Sequence, residues 1–182
     1  IALLDELPKE YPSSRYADDA LYAKGLAYLN LNKLDLSKSS FQELLNTYNN
    51  SEFHDRTLLK MGLIAYSEDR NGEALDFYKA AFRRNPQSEE AKDALVAIQE
   101  IYVDMGRPNA YFEYLSTVQG YKVDDLERDS ITYKSAWRQY ENGQTELAIA
   151  GFTNYLDQFP KGINSFSAHF YRGKIYFAKK QF

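Results

Sequence analysis

The stretch Gly62–Pro86, GLIAYSEDRNGEALDFYKAAFRRNP, decides the fold. Ala74, Phe77, Tyr78, Ala81 and Phe82 recur at intervals of three and four, which lays them on one face of a helix over Glu73–Arg84. Arg70-Asn71-Gly72 interrupts the chain before that helix, because Asn and Gly take the left-handed conformation that ends a preceding one. Asn85-Pro86 closes it, since Pro cannot continue a helix. The segment reads as helix A, turn, helix B, loop.

The same wording recurs on both sides. Tyr11-Pro12 and Phe159-Pro160 lie 148 residues apart, and Asn85-Pro86 falls 74 after the first, which are four and two units of 37. Gly25, Gly62 and Gly173 keep that register, as do Phe41, Tyr78, Leu115 and Phe152. Several residue types sharing one period without a gap define a repeat. The period divides the chain into helix B of a preceding unit (1–11), four full units (12–48, 49–85, 86–122 and 123–159) and helix A of a fifth (160–182). Asn32-Lys33, Gly106-Arg107-Pro108 and Asn142-Gly143 are the corresponding interhelix breaks. Ser14, Ser51 and Ser88 stand where a hydroxyl caps the next helix A, and Asp124-x-x-Glu127 offers a capping box. The third unit departs from the pattern: Gly120-Tyr121-Lys122-Val123 replaces the aromatic–Pro ending, so the junction between about Tyr102 and Ile131 is expected to pack differently.

A mid-helix glycine costs roughly 1 kcal/mol against alanine. Its recurrence at one slot predicts a close approach there by a neighbouring helix, with Phe41, Tyr78 and Phe152 filling the gap between helix pairs.

Composition bounds the function. Hydrophobic residues make up 44% and charged residues 26% of 182, an ordinary balance for a folded domain. Tyr is abundant at 16, with 11 Phe and one Trp. A net charge of −4 and a pI near 5.3 argue against a nucleic-acid backbone as partner. No Cys is present, hence no disulfide and no thiolate metal site. No apolar run approaches a membrane span. The first residue is Ile1, and neither end carries a polar capping repeat, so the array is expected to continue on both sides and its ends to be capable of self-association.

Gly62, Ala74, Tyr78, Ala81 and Pro86, with Ala148, Phe152 and Pro160 later, resemble the signature of the tetratricopeptide repeat (TPR) family. The family's unit is about 34 residues; the three extra residues here fall in the loop after the Pro. The resemblance implies an all-α fold, a right-handed α-solenoid of antiparallel helix pairs with a 37-residue period. The long loop, worded Tyr11-Pro12-x-Ser…Ala17-Asp18-Asp19-Ala20, is similar to those of Tol-Pal-associated and outer-membrane-assembly TPR proteins of bacteria. That likeness implies a periplasmic or outer-membrane-associated location in the cell envelope, with the cytoplasm as the alternative. Sel1-type repeats have a similar period, but their Gly-rich interhelix signature is absent.

The resemblance further implies a scaffold that holds a protein or peptide on the concave surface of the A helices, without catalysis and without a cofactor. The family's groove slots fall on Tyr22 and Asn30, Arg56 and Tyr66, Tyr133, Trp137 and Tyr140, and Phe170 and Lys174. Tyr133, Trp137 and Tyr140 share one helix face at i, i+4 and i+7. Aromatics with a polar tip anchor peptides or stack on sugar rings, and an aromatic stripe is equally a packing surface. A glycan-binding module and a purely architectural solenoid segment therefore remain beside the scaffold. The carboxylate clamp of chaperone-binding TPRs is missing, because Tyr22/Leu26, Leu59/Leu63 and Val96/Glu100 occupy its slots. For an enzyme the sequence offers little. His54 and His169 have no nucleophile beside them, and the acidic pairs Asp18-Asp19, Glu89-Glu90 and Asp124-Asp125 suit helix starts.

Overall fold

The computed structural model describes residues 2–14 and 16–179. They form α1 (Ala2–Glu10), α2 (Ala17–Asn30), α3 (Leu34–Thr47), α4 (His54–Ser67), α5 (Asn71–Arg84), α6 (Glu89–Asp104), α7 (Pro108–Ser116), α8 (Asp125–Glu141), α9 (Thr145–Gln158) and α10 (Ser165–Ala178), with no strand among the described residues. Consecutive helices pack on one another from α1 to α5 and from α7 to α10, so the fold is an all-α array of helix pairs of TPR-like type. Two compact units, residues 1–97 and 98–182, divide within α6.

The turn inside each pair is one structure used four times. Asn32, Asp69, Gly106 and Gly143 have positive φ, and each follows the last by 37 residues. The residue after each donates its backbone N–H to the carbonyl five positions back: Lys33 to Tyr28, Arg70 to Ala65, Arg107 to Tyr102 and Gln144 to Gln139, at 2.8–2.9 Å. A second bond, from the N–H of the positive-φ residue itself to the carbonyl three positions back, completes a Schellman motif, which satisfies carbonyls the helix leaves open. The expected break at Arg70-Asn71-Gly72 shifts by a residue or two: Asp69 takes the left-handed position, while Asn71 and Gly72 already belong to α5. An Asp tolerates that conformation better than most non-glycine residues, which freed Gly72 from the task.

Pro12, Pro86 and Pro160 stand two residues beyond α1, α5 and α9. Of the three serines, Ser88 accepts the Ala91 N–H at 3.1 Å as a helix cap. The Ser14 and Ser51 hydroxyls accept the amide two residues on, and α2 and α4 start without a side-chain cap. Asp124 accepts the Glu127 N–H at 2.7 Å and caps α8. In the third unit the departure takes the form of a short helix. Pro108 opens α7, which has 9 residues where α3, α5 and α9 have 14, and residues 117–124 carry no helix.

Inside the first unit, α2 packs on α3 and α4 on α5 through Leu21, Phe41, Leu44, Ile64, Ala74, Ala81 and Phe82, all buried. The glycine slot is closely approached at two positions, as its recurrence predicts, but the ring comes from the second helix of the same pair and not from between pairs. A Cβ on Gly25 would lie 2.3 Å from the Phe41 ring, and one on Gly62 would lie 2.8 Å from the Tyr78 ring. Ser37 adds a buried bond from its hydroxyl to the Gly25 carbonyl at 2.8 Å. In the second unit the roles are exchanged: Ala136 occupies the slot on α8, and Gly151 on α9 makes the approach, its Cβ position 2.9 Å from the Ala136 methyl.

Gly173 corrects the expectation for the third glycine. Nothing lies within 4 Å of a Cβ placed there, because no described helix packs on that side of α10. Gly173→Ala is therefore expected to stabilise α10 by about 1 kcal/mol through helix propensity alone. Gly25→Ala is expected to destabilise by about 1–3 kcal/mol through overpacking against Phe41. Denaturant midpoints of the two variants shifting in the same direction would contradict the assignment.

Candidate interaction surface

The second unit gathers most of the aromatic residues singled out above. Tyr133, Trp137 and Tyr140 lie along α8, half-buried, over a core of Ala136, Ala148, Phe152, Tyr155, Leu156, Ala168 and Ile175. Trp137 sits between Tyr133, with ring centroids 6.5 Å apart, and Tyr140 at 5.4 Å. Its ring meets Tyr171 edge-on at 4.5 Å. Phe152, fully buried, touches Tyr133, Tyr140 and Tyr171 at 6.0–6.5 Å. The stripe thus packs α8 against α9 and α10 and keeps one edge in solvent.

α10 continues the surface outward. Phe170 rests edge-on against Tyr171 at 5.2 Å, yet it is 56% exposed, and Phe177 is 71% exposed. Lys174 reaches to 5.9 Å from the Tyr140 ring, within cation–π range. Tyr140 and Lys174 border a cleft of about 450 Å³ with Glu141, Thr145, Ile175 and Lys179. Phe170, Lys174 and Phe177 lie at i, i+4 and i+7 on one face of α10, and Lys174 joins that face to Tyr140.

The candidates in the first unit form no such group. Tyr22 stacks on Phe53 at 4.8 Å and tilts against Phe41 at 6.0 Å, so packing dominates its surroundings. Arg56 is paired to Glu90 at 3.0 Å. Asn30 is exposed at the end of α2, and Tyr66 is half-buried on α4.

Two features were not singled out from the sequence. The first is Tyr171, the hub of the aromatic assembly. Its register mates are Ala23, Lys60, Ala97 and Lys134, so an aromatic there breaks the repeat, and that break was the available signal. The second is a buried polar lock around Asp129, 4% exposed. Tyr155 donates its hydroxyl to Asp129 Oδ1 at 2.8 Å, the Ile163 N–H donates to Oδ2 at 3.0 Å, and the Asn164 amide donates to Oδ1 at 3.3 Å. The Asn164 N–H in turn donates to the Tyr155 oxygen at 3.0 Å. Gly162 is required beneath it, since a Cβ there would fall 2.1 Å from Asp129 Oδ2. This lock fixes the loop between α9 and α10 and so sets where α10 presents its aromatic residues. Farther along α8, Ser135 and Gln139 donate to the Val103 carbonyl, and Gln139 also to Asp104, closing the end of α6.

The lock leaves a mark on titration. Burial, then the bond to Asp129, pushes the Tyr155 hydroxyl up to about 12. Burial also raises Tyr78, Tyr111 and Tyr133. A raised folded-state pKa gives stability that is complete below the unfolded value of about 10 and is lost as pH rises through the folded value. The urea midpoint is therefore expected to fall steeply between about pH 10 and 12. A midpoint as high at pH 11 as at pH 9 would contradict this.

Among the described residues no group of three or more His, Cys, Asp or Glu is arranged to hold a metal ion, and no helix is long and apolar enough to cross a membrane. The geometry defines a helix-pair repeat with an aromatic rim. Residues 19–51 and 132–162 each match the tetratricopeptide repeat model, spanning Asp19–Ser51 of the α2–α3 pair and Thr132–Gly162 of the α8–α9 pair. No curated protein matches the chain. Tetratricopeptide repeats generally mediate protein–protein interaction and are typically non-catalytic scaffolds.

Proposed function

We propose that the chain is an interaction scaffold which holds a peptide or protein partner on the rim formed by Tyr140, Phe170, Lys174 and Phe177. The observation that carries this reading is the exposure of Phe170 and Phe177 near a Lys-bordered cleft, on a helix whose preceding loop is fixed by the Asp129 lock. Aromatic anchors next to a cation, held on rigid helices, suit a short peptide with apolar side chains and a carboxylate. The loop wording after Pro12 supports a bacterial envelope as the place where it works.

The test is a binding screen of the chain against arrayed peptides and, in parallel, polysaccharides. The double variant Phe170→Ala/Lys174→Glu is expected to keep the parent's melting temperature and to lose peptide binding by about a hundredfold, as anchor truncations do. Binding of polysaccharides alone, or peptide binding untouched by the double variant, would refute the assignment.

A further inference from the structure

A groove runs between α7 and α9 over α8, in two stretches. The first, of about 410 Å³, reaches from Arg107 on the α7 side to Asn154 on α9. The second, of about 380 Å³, continues past Phe112 to Arg128 and Gln158. Asn109 and Glu113 line both. Neither stretch shares a lining residue with the cleft beside Lys174.

The first unit holds a cleft at the same place in the repeat, 74 residues earlier, with Met61 and Phe77 in its lining. Every charge on its rim is paired: Lys38 to Asp35 at 2.8 Å and to Glu68 at 3.1 Å, and Arg70 to Glu68 and Glu73. The second unit differs in both floor and rim. Leu58, Met61 and Ala65 are replaced by Thr132, Ser135 and Gln139, and Phe77 by Gly151. The Thr132 hydroxyl and the Gln139 side-chain oxygen are buried without a hydrogen-bond partner. Arg107, Glu113 and Arg128 form no ion pair among the described residues. The Arg128 guanidinium lies over the Phe112 ring at 4.5 Å. Orphaned oxygens and unpaired charges gathered in one groove, where the register mates are apolar or paired, mark a binding site.

We propose that this groove binds an extended peptide segment with acidic, basic and acidic side chains at positions i, i+2 and i+4. From Pro108 to Ser116, α7 rises about 12 Å. Four steps of extended chain at ~3.3 Å each cover that span. Alternate side chains of an extended chain point the same way, so the three charges meet Arg107, Glu113 and Arg128 in turn. Asn109 and Asn154 stand on opposite walls. An Asn amide carries a donor and an acceptor, as a peptide bond does, and so pairs with the segment's backbone. The floor offers the Gln139 oxygen to an amide N–H and the Thr132 hydroxyl to a carbonyl.

The probe is a set of short synthetic peptides centred on Asp-x-Lys-x-Asp, with x varied among Ser, Thr and Val, beside a set with every charge reversed. Binding to the whole chain is followed by fluorescence anisotropy. The first set is expected to bind and the reversed set not to bind. Glu113 is exposed, so Glu113→Lys is expected to melt with the parent. It is expected to lose Asp-x-Lys-x-Asp by about tenfold or more and to take up Asp-x-Asp-x-Asp instead, because the charge it presents has changed sign. Arg107→Glu is expected to weaken the first set by about tenfold for the same reason. Phe170→Ala/Lys174→Glu is expected to leave this binding unchanged, so the groove and the rim of α10 fail separately. No binding of the first set would overturn the proposal. So would equal binding to Glu113→Lys and parent, or loss of the peptides only in the α10 double variant.

Discussion

Phe152→Ala is expected to lower stability by about 3–5 kcal/mol. Phe152 is fully buried and lies at the meeting of α8, α9 and α10, with Tyr133, Tyr140 and Tyr171 around its ring. Removing the ring loses its transfer free energy and leaves a cavity. The three tyrosines cannot collapse into that cavity freely, because Tyr133 and Tyr140 also support Trp137. Trp137 is the sole tryptophan of the chain and belongs to the same cluster, so its fluorescence reports the event directly. A midpoint within about 1 kcal/mol of the parent would show that Phe152 does not bear on this core.

The second large effect belongs to Asp129→Ala, expected to cost about 3 kcal/mol because it strands buried donors. The carboxylate receives the Tyr155 hydroxyl, the Ile163 N–H and the Asn164 amide. No cation faces it among its bonds, so hydrogen bonds alone offset its burial. Without it, Tyr155 is left in the core with an unplaced proton and the loop before α10 loses its anchor. Gly162→Ala should act in the same direction by driving a methyl into the carboxylate. Thermal melts of both variants check the pair, and unchanged melting of Asp129→Ala would dissolve the lock as an explanation of how α10 is held.

The fold was legible because its causes are local and repeated. Three of the four left-handed turn positions, Asn32, Gly106 and Gly143, and Gly25 and Gly62 opposed by Phe41 and Tyr78, are written into residue type at fixed offsets. Pro108 at the start of α7 and Asp124 at the cap of α8 were legible for the same reason. Where the reading slipped, a second residue type could serve: Asp69 took the turn conformation that Gly72 was expected to supply, and Ser14 and Ser51 served turns instead of capping helices. The surface was harder. Tyr133, Trp137 and Tyr140 could be placed on one face, but which edge stays wet depends on Tyr171 reaching across from another helix. Asp129 was obscured because its register mates Asp18 and Asp55 are also acidic at helix starts, and the bonds that distinguish it come from 26 to 35 residues away.

The most direct test of the repeat itself is amide hydrogen exchange at Lys33, Arg70, Arg107 and Gln144. Each of these amides closes a helix A at a site that a flexible surface loop would leave open to water. The account predicts slow exchange at all four, because each donates the bond five positions back that closes the same turn. Fast exchange at these four amides, level with the loop amides of residues 118–123, would contradict it.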